Sequence, residues 1–327
     1  MWPQDLSSLK RRQQSAFYLS DFGYQKDSVL GNWPDYYLHF YTHMLIEDIG
    51  LQTLPLAWKN DHAPQLEPPD DRFADAIAFA LKARSYYDSD LTDAVYRFFS
   101  EVAMSLAGYS ACIFELVKLC DPDTGEIKAF DLCSIQPLTL FLERGNWIQH
   151  VPKEVAAELK VDRCIKLDPA RLLFFYLPKR FRDNWMNMMS SLAEVSEVSP
   201  PFESSRSATS SERVPFDFNE HQQLKKQVVA GLTKEVGWNM RMYPDDGMLE
   251  YYWIHRFLQY ERFKIEMRDS ILATLNEGLL RIGRALGMKG QISIPGLPTL
   301  QDVDQAQEGL QSGRRAAGDI LHQFRAW

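Results

Sequence analysis

The sequence predicts an α+β chain, with strands gathered in its middle and helices on both sides. Two observations carry this. Ala111 to Leu119 is rich in Ile, Phe, Leu and Val, and the turn sequence Asp121-Pro-Asp-Thr-Gly125 leads from it into an apolar return, Ile127 to Leu132. Short apolar runs joined by Asp, Pro and Gly read as paired strands. On either side, apolar residues recur every three or four positions, the period of a helix with one buried face. With 327 residues, 45% hydrophobic and 24% charged, the chain can bury a large core and has the composition of a folded protein.

The elements follow in order. Tyr36 to Ile49 predicts a first helix, with Tyr37, Phe40, Tyr41, Met44, Leu45 and Asp48 on one aromatic face and Gly50 as its cap. Leu54-Pro55-Leu56 begins an extended segment, and Pro64 to Asp71 is a proline-rich connection. Phe73 to Tyr86 is a second helix. Asp90 caps a third, whose Ala94, Phe98, Val102 and Leu106 face inward until Gly108 stops it. After the hairpin, Gly145-Asn-Trp-Ile-Gln149 and Leu172 to Tyr176 are further strand-like returns.

Arg182 to Met189 is a short Trp/Met-rich helical segment. Ser190 to Arg213 is dense in Ser, Glu and Pro, a composition that buries too little apolar surface to order itself. The chain therefore divides into an α/β domain at 1–180, a flexible Ser/Pro-rich linker at 181–218 and a mostly helical region at 219–327. In the last, Leu249 to Leu286 keeps a three- and four-residue step throughout, with Gly278 and Gly283 as points of bending. Roughly 38 residues at 1.5 Å each would span about 57 Å. Gln291-Ile-Ser-Ile-Pro is a short strand, and Thr299 to Phe324 a final, weakly apolar helix.

Several function classes lose support. A net charge of −8 argues against a dedicated duplex-gripping protein. No apolar run approaches the roughly 20 residues of a membrane helix, so no membrane partner is expected. The opening Met1-Trp-Pro-Gln-Asp-Leu has no charged-then-apolar leader. Cys112, Cys120, Cys133 and Cys164 lack C-x-x-C spacing and read as reduced thiols of a cytoplasmic protein. An aromatic share of 13% favours broad packed surfaces or interfaces.

Each candidate for chemistry has a structural counterpart. Gly108-Tyr-Ser110-Ala-Cys112 approaches a nucleophile elbow, but it runs from helix to strand, the reverse of what an elbow needs. Asp121 to Glu126 has its glycine one place early for a calcium loop and suits a hairpin turn. Gly283, Gly287 and Gly290 follow a helix rather than a strand, and no Walker sequence accompanies them. His39, His43 and Glu47 stand four apart on one helix, a spacing that suits zinc, without the glutamate of H-E-x-x-H. Trp185-Met-Asn-Met-Met189 suits either a docking surface or an amphipathic helix packed inward. Lys225, Lys226, Arg281, Arg284 and Lys289 are candidates to face phosphates, or solvated helix faces interspersed with acids.

Taken in order, these segments resemble bacteriophage portal proteins, the head-to-tail connectors of tailed phages. Tyr41-Thr-His-Met-Leu-Ile-Glu-Asp-Ile-Gly-Leu-Gln-Thr-Leu-Pro-Leu56 is similar to the early helix of that family. Leu106-Ala-Gly-Tyr-Ser-Ala-Cys-Ile-Phe-Glu115 is similar to its helix-to-strand passage. Asp123-Thr-Gly125 with Ile135-Gln-Pro137 is similar to its hairpin and return, and Ile165 to Phe174 to the segment that turns back towards the sheet. The helix around Tyr260–Leu286, with Arg268 and Asn276, suits a stem or kinked wing helix.

The resemblance covers about two thirds of the chain and rests on order rather than on an invariant motif. It implies an α/β wing domain with a small mixed sheet, a long-helix stem region, and a homo-oligomeric ring of about a dozen subunits, a dodecamer. Such a ring is made in the host cytoplasm and sits at the portal vertex of the virion. It passes double-stranded DNA non-specifically and docks capsid protein, the terminase large subunit and tail adaptor proteins. No enzymatic activity and no cofactor are expected of it. Two readings from other classes stand beside it: a metal-dependent hydrolase using His39, His43 and Glu47, and a monomeric protein-binding scaffold.

Overall fold

In a computed structural model of the protein, which describes residues 10–11, 39–54, 63–82, 90–153, 156–157, 160, 162–197, 218–241 and 250–325, the apolar runs and helical periods become a mixed α+β fold. In chain order the elements are β1 (Lys10–Arg11), α1 (Phe40–Gln52), β2 (Gln65–Glu67), α2 (Asp71–Lys82) and α3 (Leu91–Tyr109). Next come β3 (Ala111–Cys120), β4 (Ile127–Ile135), β5 (Leu140–Glu143), β6 (Asn146–His150), β7 (Cys164–Leu167) and β8 (Leu172–Tyr176). The remainder is α4 (Lys179–Glu197), α5 (Phe218–Leu232), α6 (Glu250–Leu286), β9 (Gln291–Ser293), α7 (Leu300–Gln311) and α8 (Ala317–Arg325).

Contacts group the chain into two units, one of Met1–Trp33, Ile49–Pro178 and Met267–Leu297, the other of Pro34–Asp48, Lys179–Glu266 and Pro298–Trp327. The boundary falls within α1 and within α6, so long helical periodicity alone does not mark a domain.

In the first unit, β3 is the central strand. It pairs antiparallel with β4 from Ile113↔Ile135 to Cys120↔Ile127, and on its other side with β8 (Ala111↔Tyr176 to Glu115↔Leu172) and β1. The turn between β3 and β4 is made by its own chemistry: the Asp121 carboxylate accepts from the backbone N–H of Asp123 and Thr124, both at 2.9 Å. A separate three-stranded sheet runs β5-β6-β7, and β2 pairs with β9. Every pairing among the described residues is antiparallel, where the resemblance implied a small mixed sheet. Tight hairpins join β3 to β4 and β5 to β6, and two-residue or short turns require antiparallel neighbours.

Ile113, Val117, Cys133, Ile135, Leu140, Leu167 and Leu172 form one apolar cluster shared by the two larger sheets. Phe98 on α3 packs with Phe114 and Phe175 at ring separations of 5.2 and 5.6 Å. The distal half of α6 braces the return strand. Ser270 donates to the Tyr176 carbonyl, and Arg281 donates to those of Ala170 and Leu172. The Asn276 amide clasps Ile292 of β9 in both directions, at 2.9 and 2.8 Å.

The caps differ from expectation at two helices. Asp90 caps α3 as predicted, accepting from Asp93 N–H at 2.9 Å. Gly108, however, stays helical and buried, and the left-handed stop falls on Ser110 (φ 62°). Gly50 is internal to α1, where a Cβ would lie 2.4 Å from Met104 Cγ.

In the second unit, α4 contains the helix expected at Arg182 to Met189 and carries it on through the first residues of the Ser-rich stretch, to Glu197. Residues 181–197 are helical, and the remainder to 217 lies outside the described residues. Phe181, Trp185, Met189 and Leu192 recur on one face and are buried, and Trp185 stacks on Phe263 of α6 at 5.6 Å. The expected final helix is two, α7 and α8, interrupted after Gln311 at Ser312 and Gly313. Much of their surface is exposed, and one face is not: Val303, Ala306, Ile320 and Phe324 join Trp253, Ile254, Leu258 and Ile265 of α6 in a core. The 37 residues of α6 pass through Gly278 and Gly283 without a break in the helix.

Candidate functional site

The His39–His43–Glu47 line begins where α1 does. The His39 carbonyl accepts the His43 N–H at 2.9 Å, so the three residues do lie on successive turns. Their chemistry diverges. His43 is exposed, whereas Glu47 accepts from the Arg241 guanidinium at 2.7 Å. Among the described residues no group of three His, Cys, Asp or Glu side chains is placed to hold a metal ion.

Arg241 instead organises a network within the second unit. Its Nε donates to Asp48 Oδ1 at 2.6 Å, and Asp48 Oδ2 accepts the indole N–H of Trp238 at 2.8 Å. Asp48 and Trp238 are both buried. A carboxylate with a charged and a neutral donor is well matched to burial. Sequence periodicity placed Asp48 on the inward face of α1 without identifying its partners. An acid on an apolar stripe was the available signal.

The Arg241 contact holds the Glu47 carboxyl below its ordinary range, first through the hydrogen bond and then through the charge. A folded value below the unfolded one means the contribution is fully present above the usual glutamate range near pH 4.3. It is lost as pH falls through the lower folded value. Carboxyl-carbon NMR titration of Glu47 is therefore expected to give a midpoint below that of free glutamate. The midpoint should rise in Arg241→Gln, and an unchanged midpoint would contradict the pairing.

The five basic candidates divide between the units. Lys225 and Lys226 are half-buried on α5, in the second. Arg281, Arg284 and Lys289 belong to the first. Arg281 is committed to two backbone carbonyls of the β8 region and to Glu277. Arg284 and Lys289 are exposed. Compared with known proteins, the chain matches no protein-family model and no curated protein.

The Trp185–Met189 cluster packs inward, as an amphipathic helix would. Trp185 and Met189 are buried, while Trp185 and Met188 also line an open cleft of about 220 Å³ whose other wall is Gly231 and Leu232 at the end of α5. That is below the roughly 300 Å³ at which small-molecule sites begin.

Sequence reasoning missed two buried arginine arrangements. Arg171 pairs with Glu115 at 2.9 Å in the first unit, where the Glu115 side chain has no exposed surface. Arg256, only 1% exposed, sits in the second unit beneath the turn that carries Trp238. Neither pairing is local, so no spacing in the sequence announces it.

Proposed function

We propose that this chain is a subunit of a ring-forming structural protein of the portal type. The observation that carries the reading is the path of the first unit. Helix α3 leads directly into β3, the Asp121 turn returns it as β4, and after the β5–β7 sheet the chain comes back as β8 to pair with β3. That order follows the segments in which the sequence resembles portal proteins. Helix α6, which braces β8 through Ser270 and Arg281, supports the reading as a long helix of the kind expected for a stem or kinked wing helix.

In this reading the ring stands at a capsid vertex, docks capsid protein, the terminase motor and tail adaptors, and lets DNA through. An acidic chain suits loose passage, because each phosphate contact adds salt-dependent affinity that would arrest the cargo. No helix among the described residues is long and apolar enough to cross a membrane. The test is the native mass of the purified protein, with negative-stain imaging alongside it. A closed ring of about a dozen copies is expected. A protein that stays monomeric at all concentrations and salt conditions overturns the reading.

A monomeric protein-binding scaffold has one observation in its favour, the cleft beside Trp185 and Met188. The same mass measurement separates the two, since only the scaffold reading accommodates a stable monomer.

A further inference from the structure

Three side chains on adjacent strands of the β5–β7 sheet meet on its exposed face. Register places Phe141 and Glu143 of β5, His150 of β6 and Cys164 of β7 on that face, because Phe141 opposes Ile148, Glu143 opposes Asn146 and Cys164 opposes His150. The opposite face carries Leu140 and Leu167 into the core. On the exposed face, His150 Nε2 lies 2.5 Å from Glu143 Oε1, and His150 Nδ1 lies 4.0 Å from Cys164 Sγ. The Phe141 ring meets the imidazole edge-on at 5.1 Å. Cys164 is exposed, whereas Cys112, Cys120 and Cys133 are buried.

The hydrogen-bonding inventory orients this group. An ionised carboxylate only accepts, so His150 Nε2 carries the proton that bonds Glu143. The neutral ring then presents the lone pair of Nδ1 to Cys164. A base within reach of a nucleophile, itself oriented by a third group, is the arrangement that activates thiols. Sequence spacing gave no hint of it, because the three residues come from three strands and share no short motif.

We infer that Cys164, His150 and Glu143 form a modification site that undergoes thiol–disulfide exchange with small soluble disulfides. Nδ1 of His150 takes the thiol proton as Cys164 Sγ attacks one sulfur of the incoming disulfide. The new S–S bond forms as the old one breaks, and the departing thiolate recovers the proton from Nδ1. Cys164 is oxidised and the leaving sulfur reduced, so the exchange needs no other reactant. Glu143 is a positioning residue: it holds the tautomer and offsets the imidazolium charge as it develops.

The test uses the full chain and glutathione disulfide at pH 7, with adduct formation followed by mass spectrometry on peptides. Modification is expected at Cys164, and His150→Gln should slow it at least about fivefold without altering circular dichroism or native mass. Glu143→Ala should slow it less and convert His150 from a single Nε2–H tautomer to a mixture, read by ¹⁵N NMR of the ring. Equal rates in wild type and His150→Gln would show that exposure alone governs the thiol and overturn the inference. So would adducts forming first on Cys112, Cys120 or Cys133. A Glu143→Ala protein with unchanged rate and tautomer would remove Glu143 from the site.

Discussion

Arg171→Met is expected to lower the stability of the first unit by about 3–5 kcal/mol, the cost of breaking a buried pair by removing one partner. The asymmetry lies in the burial. Glu115 has no exposed surface on β3, whereas Arg171 retains 19%. Deleting Arg171 leaves a carboxylate in the interior without its guanidinium partner, while deleting Glu115 leaves a cation with a route to water. Arg171→Met should therefore cost more than Glu115→Leu. The double variant should recover much of the loss, because an apolar pair of similar volume needs no compensation. Urea unfolding of the four proteins gives the coupling directly. A coupling below about 0.5 kcal/mol would show that the two residues act independently. The pair ties β3 to the turn before β8, so the portal reading adds an expectation: ring assembly should weaken in step with stability.

Arg256→Met is expected to destabilise the second unit by several kcal/mol. The guanidinium donates to the backbone carbonyls of Ala230 at 2.7 Å and Trp238 at 2.5 Å, and to Thr233 Oγ1 and Asn239 Oδ1, both at 2.9 Å. Burial pulls its ionisation below the ordinary arginine range, the direction set by desolvation. Removal takes the donor from the buried Ala230 carbonyl and leaves that of Trp238 with only the Thr233 hydroxyl, at roughly 1–3 kcal/mol for an acceptor that stays unpaired. The segment held this way is unusual backbone. Gly237 has φ 80°, Met240 53° and Arg241 58°. A Cβ at Gly237 would lie 2.3 Å from the Arg256 carbonyl oxygen, so the chain passes directly over α6 there. Arg256→Lys should restore little, since one ammonium cannot serve a fork of four acceptors. A lysine variant unfolding at the wild-type denaturant concentration would show that charge, not geometry, is what the site needs.

What could be read beforehand was what neighbours in sequence decide. The Asp121–Gly125 hairpin was legible because Asp121 bonds N–H groups two and three residues on. The Asp90 cap was legible for the same reason, and so was α6, whose period persists over 37 residues. Local composition failed where it opposed a tertiary face. The serines from Ser190 onward suggested disorder, yet α4 continues to Glu197 and buries Leu192 and Ala193 in that stretch. Gly50 suits a cap by its local sequence, yet it lies inside α1 with the distant Met104 against it. Of the candidate sites, His43 and Glu47 fell on one helix with His39 just before its start, but Glu47 belongs to Arg241, a residue far along the chain.

The sequence by itself determined the fold class, the strand-rich middle, the hairpin and the principal helices, because hydrophobic period and turn chemistry act over a few residues. Only the tertiary structure decided which strands adjoin β3, which glycines are there for contact, and how Glu115, Asp48 and Arg256 are satisfied. It alone brought Glu143, His150 and Cys164 to one face. Those outcomes depend on pairings between residues far apart in the chain, for which a single sequence carries the side chains but not their partners.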